Sequence, residues 1–189
     1  MPSLVDSILS RVSELDSSLI YLVQSIGPGF QGIARFISHG AISNLVFLAL
    51  VLGALLLIEK WRISLEVVII ALVSYGALVL LKLFFHVDRP YAVDPLVVAY
   101  DKDIGFGLPS IHAAMSVVVL GWIALRHPKS HVVLWGSVAL IVLVGLSRVY
   151  LGVHYPSQVL AGWIFGILFL YIFRVIDKRL WSPFQKKLK

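Results

Sequence analysis

Apolar residues along this chain gather into long runs, and the polar ones into short islands between them. Near the start the period is helical. Leu4, Ile8, Leu9, Val12 and Leu15 recur at steps of one, three and four, with Asp6, Glu14 and Asp16 between them. That pattern predicts an amphipathic helix over residues 1–17, lying at a membrane surface. Residues 18–38 are less apolar, are interrupted by Gly27-Pro28-Gly29, and carry Gln24, Gln31 and Arg35. They fit either a short kinked first span or an interfacial pair of helices. Five clearer runs follow, at 41–58, 63–85, 110–125, 132–146 and 156–173. The longer ones are sufficient to cross about 30 Å of hydrocarbon at about 1.5 Å per residue. Glu59-Lys60-Trp61-Arg62 reads as a polar turn. Residues 86–108, with Pro90, Pro95, Gly105 and Gly107, read as a loop.

The fold class predicted is therefore an all-α integral membrane protein. It is a bundle of about six transmembrane helices preceded by an amphipathic helix. Residues 1–189 form a single membrane-embedded domain, with the bundle at 18–176 and a basic cytoplasmic tail at 177–189. Small residues such as Gly76, Gly162 and Gly166 are placed to let helices approach closely. The start of the chain lacks the basic and apolar pattern of a cleaved signal, so the helices themselves are expected to direct insertion.

Composition strengthens the membrane reading. Hydrophobic residues make up 59% of the chain and charged residues 14%, against about 25% charged in ordinary soluble domains. The net charge of +6 does not point to nucleic acid, because the basic residues flank apolar runs and form no stripe on a soluble face. With no cysteine, disulfides and thiolate metal sites are excluded. Lys60, Arg62, Arg126, Lys129 and the basic tail fall on one side if the helices alternate. The positive-inside rule makes that side cytoplasmic, in a plasma (inner) membrane. The same alternation gathers residues 82–90, 109–112 and 147–158 on the extracytoplasmic face.

These islands carry the candidate chemistry. Lys82, Arg89 and Arg148 are cations on a face with few carboxylates expected to pair with them. Arginine's planar fork matches phosphate oxygens, and lysine adds a point charge. Taken singly, each is more simply a snorkelling or loop residue; jointly, beside two histidines, they point to phosphate. Pro109-Ser110 opens a helix, whose first N–H groups face an anion. The plainer alternative is a capping serine with an interfacial histidine. A neutral imidazole can attack phosphorus and a protonated one can give its proton to the leaving oxygen. His154 and His112 are therefore the candidate catalytic pair. A metal site is disfavoured, since no carboxylate or cysteine cluster accompanies them and the cations would repel a divalent ion. His39, His86, His127 and His131 read as loop or interface residues, with His86 the one nearest the islands.

Lys82-x6-Arg89-Pro90, Pro109-Ser110-x-His112 and Ser147-Arg148-x5-His154 resemble, in order and spacing, the three signature motifs of the type 2 phosphatidic acid phosphatases. That superfamily also includes glucose-6-phosphatase and the vanadium haloperoxidases. The resemblance implies a metal-independent phosphatase, without a cofactor, acting on a lipid phosphate or diphosphate in the bilayer. Phosphatidate, phosphatidylglycerophosphate and undecaprenyl diphosphate are the substrates it suggests. It implies that His154 is the nucleophile and His112 the general acid. Lys82, Arg89, Ser110, Arg148 and the backbone N–H of Ile111 would hold the phosphoryl oxygens.

The chain departs from the family at two positions. Ile111 stands where glycine is common, and Gln158 where an aspartate usually orients the nucleophile. Gln158 can accept the His154 N–H but brings no charge; glucose-6-phosphatase resembles this stretch with glutamine there. The alternatives are a lipid phosphotransferase and a catalytically weak phospholipid-binding protein.

Overall fold

The computed structural model describes residues 4–38 and 61–181. The run at 41–58, Glu59 and Lys60 of the polar turn, His39, and the tail from residue 182 lie outside the described residues. Within them the secondary structure is helical. The helices are α1 (Leu4–Gln24), α2 (Gln31–Arg35), α3 (Trp61–Phe85), α4 (Pro90–Val93), α5 (Ile111–Arg126), α6 (His131–Tyr150) and α7 (Pro156–Ile176).

Local chemistry sets the helix starts. Ser110 and Ser130 sit in extended backbone before α5 and α6. Their hydroxyls accept the N–H of Ala113 at 3.5 Å and of Val133 at 3.3 Å, which satisfies donors that have no partner within the helix. Pro156 opens α7, where a missing N–H costs nothing.

Three described stretches are long and apolar enough to cross a membrane: Leu65–Val93, His131–Tyr150 and Pro156–Arg179; Ile111–Arg126 is a shorter apolar helix. This last helix, α5, is the centre of the bundle. Ala113, Ala114, Ser116, Val117, Val118, Val119, Leu120 and Trp122 are all buried, so it is enclosed nearly all round. Val67, Ile70 and Ala71 of α3 pack against Val118, Val119 and Trp122, with Phe169 and Leu170 of α7 at the margin. The apolar faces of the other helices point outward: Leu72, Leu80 and Phe84 on α3, Val132 and Trp135 on α6, Ile164 and Tyr171 on α7. In water such faces would be a liability; in lipid they are the solvated surface.

Gly162 and Gly166 do bring α7 against α5. A methyl group on Gly162 would lie 2.6 Å from the Ser110 carbonyl oxygen, and one on Gly166 2.7 Å from that of Ala114. Gly76 meets nothing within 4 Å and has no such role among the described residues.

Two expectations change. The first helix does not stop near residue 17 but runs unbroken to Gln24. Trp61 and Arg62 belong to α3, not to a turn. Residues 16–38, moreover, do not cross the bundle. Asp16 accepts the Ser157 N–H at 2.9 Å, and Tyr21 donates to Asp94 at 2.6 Å. Gln24 donates to the carbonyls of Val98 at 2.7 Å and Tyr150 at 3.1 Å. Arg35 donates to the Tyr100 carbonyl and Ser38 meets Arg148. All these partners lie at the end where α6 finishes and α7 begins, whereas a crossing segment would have its ends about 30 Å apart. The stretch is tied by these hydrogen bonds to the end of the bundle where α6 finishes and α7 begins. The cause is polar: Asp16 and Gln24 are both buried, and their hydrogen-bond partners are the first turn of α7, the last residue of α6 and the loop at Val98.

The opposite end of the bundle is tied by charge. Arg126 of α5 reaches Glu66 of α3 at 2.7 Å and Asp177 beyond α7 at 2.8 Å. Trp122 also donates to Glu66, at 3.2 Å. Removing the arginine leaves the largely enclosed Glu66 without its cation and Asp177 with Arg174 alone, at 3.3 Å. Arg126→Ala is therefore expected to destabilise the protein by about 3 kcal/mol, read as a lowered thermal midpoint in detergent.

Candidate active site

The islands meet at one end of the bundle, as alternation of the helices requires. Lys82 comes from the last turn of α3, Arg89 from the residue before α4, and Arg148 from the last turn of α6. Ser110 caps α5, and Ile111 and His112 form its first turn. His154 lies in the turn between α6 and α7, and Gln158 in the first turn of α7.

His154 is the centre of the group and is buried. Its Nδ1 lies 3.1 Å from the Gln158 side-chain oxygen, and its Nε2 lies 3.2 Å from Nη1 of Arg89. An amide oxygen only accepts and a guanidinium only donates. Both contacts therefore select one tautomer, with the proton on Nδ1 and the lone pair on Nε2. Burial, then the charges of Arg148, Arg89 and Lys82, hold the imidazole pKa well below its ordinary value, with the Gln158 hydrogen bond working the other way. The ring is neutral near pH 7. The sign for stability follows. Below about pH 6.5 the unfolded chain takes up a proton here that the folded chain refuses, so this group lowers stability as the medium is acidified.

Gln158 is fixed from several sides. Its oxygen also accepts the Tyr155 N–H at 3.3 Å, and its amide nitrogen donates to the Asp88 carbonyl at 2.9 Å. The Gln158 carbonyl accepts the Ser110 N–H at 3.1 Å, joining the start of α7 to the start of α5. A glycine is needed opposite: a methyl group on Gly107 would lie 2.6 Å from both terminal atoms of the Gln158 side chain. An aspartate at 158 would be shorter and could not donate to Asp88, so glutamine here is built in with its own partners.

The cations are not idle. Arg89 donates to the carbonyls of Gly105 at 2.8 Å, Val153 at 3.0 Å and Ile104 at 3.3 Å. Lys82 donates to the Phe106 carbonyl. Arg148, fully buried, donates to the Ser38 hydroxyl. Both arginines bind the carboxylate of Asp103, Arg89 at 3.2 Å and Arg148 through its Nη2. Nε of Arg148 has no hydrogen-bond partner among the described residues.

This corrects the expectation that the face offers few carboxylates for pairing. Asp103 was legible only as one of several loop acids, and Ser38 carried no signal at all. Ser110 uses its hydroxyl as a helix cap, which is the plainer of the two roles foreseen for it. His112 is half-buried at the same end of the bundle as His154. His86 is exposed, and its ring packs on Phe106 at 4.4 Å between centroids.

The family model described as the PAP2 superfamily matches residues 60–182, which contain every residue of this site except Ser38. Among curated relatives, "Phosphatidylglycerophosphatase B" of Bacillus subtilis (strain 168) is 34% identical over 92 residues, covering 43% of this chain and 44% of its own length. "Undecaprenyl-diphosphatase" of Sulfolobus acidocaldarius is 32% identical over 99 residues, covering 52% of this chain and 44% of its own length. The chain thus spans less than half the length of either relative. The crystal structure of a transmembrane PAP2 type phosphatidylglycerolphosphate phosphatase from Bacillus subtilis superposes with a TM-score of 0.72 at 24% identity, covering 90% of this chain and 88% of that one. With the motifs, the fold and the matched residues in agreement, the chain belongs to the PAP2 superfamily.

Proposed function

We propose that this protein is a membrane-embedded lipid phosphatase that works through a phosphohistidine on His154. The observation that carries the reading is the environment of His154: a buried, neutral imidazole whose Nδ1 proton is committed to Gln158 and whose Nε2 lone pair faces a guanidinium. That is the state a nitrogen nucleophile requires beside a phosphate-binding group. In the first step Nε2 attacks phosphorus and the bond to the lipid oxygen breaks. His112, protonated, gives its proton to that oxygen. In the second step His112 takes a proton from water, whose oxygen attacks phosphorus. The P–N bond breaks, and orthophosphate and the starting imidazole are regenerated. Lys82, Arg89, Arg148, Ser110 and the Ile111 N–H hold the phosphoryl oxygens, where charge builds in the transition state. Gln158 fixes the ring and its tautomer.

The two curated relatives named above bear, in their names, a glycerophospholipid phosphate and a polyprenyl diphosphate. What these share is a terminal phosphate on a long apolar tail, and that is the substrate class proposed here; phosphatidate belongs to it. The tail remains in the bilayer beside the outward apolar faces of the helices. The basic residues at the Arg126 end support a site on the extracytoplasmic face of the plasma (inner) membrane.

The test is phosphate release from a panel of phosphatidate, phosphatidylglycerophosphate and undecaprenyl diphosphate, with purified protein in detergent and no added metal. Release from at least one is the expected result. Binding of these lipids without release would replace the reading with that of a phospholipid-binding protein. Transfer of labelled phosphate to a second lipid would replace it with a phosphotransferase.

A further inference from the structure

Every cation assigned to substrate phosphate already holds an oxygen of one short segment, besides the contacts of Arg89 with Val153 and of Arg148 with Ser38. Asp103 supplies a carboxylate to Arg89 and Arg148. Ile104 and Gly105 supply carbonyls to Arg89, and Phe106 supplies one to Lys82. Tyr91 holds the Asp103 carbonyl at 2.8 Å, and Gly107 donates to Val87 at 2.6 Å. Gly105, at φ +80, permits the sharp course that turns successive carbonyls inward.

The same Nη1 of Arg89 touches Asp103 and His154 Nε2, each at 3.2 Å. The carboxylate bridges both arginines and shares one guanidinium nitrogen with the attacking ring, so it occupies donors that a phosphoryl oxygen would use. Two anions cannot share that place. We infer that Asp103 is an internal competitor for the phosphate subsite, and that substrate binds by displacing its carboxylate from Arg89 and Arg148.

The inference rests on the phosphatase reading, and it adds a selectivity that the motif residues alone do not give. A group that binds the arginines more weakly than the tethered carboxylate is kept out. A terminal phosphate carries more charge and more acceptor oxygens than a carboxylate, and it wins. The cost is paid in affinity: if the subsite is open about a tenth of the time, apparent binding is weakened about tenfold.

Asp103→Asn removes the competing charge while keeping size. Orthophosphate is the probe, its affinity read from the rise in thermal midpoint with concentration. The variant is expected to bind orthophosphate about tenfold more tightly and to show KM for the lipid substrate lowered in proportion, with kcat not raised. Asp103→Glu, which keeps a carboxylate on a longer arm, is expected to stay much closer to wild type. Unchanged or weaker orthophosphate binding in a folded Asp103→Asn protein overturns the inference, because the carboxylate would then serve to position the arginines. Loss of folding in both Asp103→Asn and Asp103→Ser overturns it too, by showing a structural counter-ion. If wild type neither binds orthophosphate nor releases it from any lipid, the phosphatase reading itself fails. If wild type releases phosphate and Asp103→Asn binds it no better, only the role of Asp103 fails.

Discussion

His154→Gln is expected to lower phosphate release by at least about 10⁴-fold, with substrate binding largely kept. Removing a nucleophile from a two-step mechanism leaves only the stabilisation supplied by the remaining groups, and such losses run to about 10⁴–10⁶. Glutamine is the better replacement than alanine here. His154 is 1% exposed, so truncation would open a cavity that costs about 2–5 kcal/mol and would confuse misfolding with lost chemistry. The amide can still meet Gln158 or Arg89. Burst-phase labelling makes the test sharper: wild type quenched in alkali, where a P–N bond survives, after mixing with labelled lipid is expected to carry acid-labile label on protein, and the variant none. Residual turnover within tenfold of wild type would mean that another group attacks phosphorus.

How much of this could be read beforehand follows from the physical origin of each feature. The spans were legible because a bilayer imposes a length and a polarity on every helix that crosses it, and α3, α6 and α7 carry both. The gathering of Lys82, Arg89, Ser110, His112, Arg148 and His154 at one end was legible because alternation of spans fixes which loops share a face. Residues 18–38 were ambiguous because their apolar content suits a surface helix and a short span equally. What decided it was the hydrogen bonds of Asp16 and Gln24 to Ser157, Val98 and Tyr150, contacts between segments far apart in sequence. Asp103 was missed for the same reason. Its position after Asp101-Lys102 looks like a solvated loop, and only the turn at Gly105 folds the carboxylate back onto two arginines. Gln158 was recognised as a departure, but its partners were not. The Asp88 carbonyl and the bare Gly107 show a pocket shaped for an amide, so the missing charge reflects an environment arranged for glutamine.

Arg148→Met separates function from stability. The variant is expected to lose at least about 10³-fold in kcat/KM, the scale seen when a cation that stabilises phosphoryl transfer is removed. Its thermal midpoint is expected to change little or to rise. Arg148 is fully buried, so its charge is desolvated, and its Nε finds no partner among the described residues. A buried cation with an unsatisfied donor is a net burden that an apolar side chain of similar length relieves. Asp103 is not stranded by the change, because Arg89 still holds it at 3.2 Å. The Ser38 hydroxyl loses its contact and Asp103 one of its two arginines. A residue kept for phosphate at the expense of the resting fold predicts this pattern. Measuring the thermal midpoint and kcat/KM on the same preparation decides the matter. A steep fall in both would make Arg148 a keystone of the loop structure, and the phosphate clamp would then rest on Arg89 and Lys82.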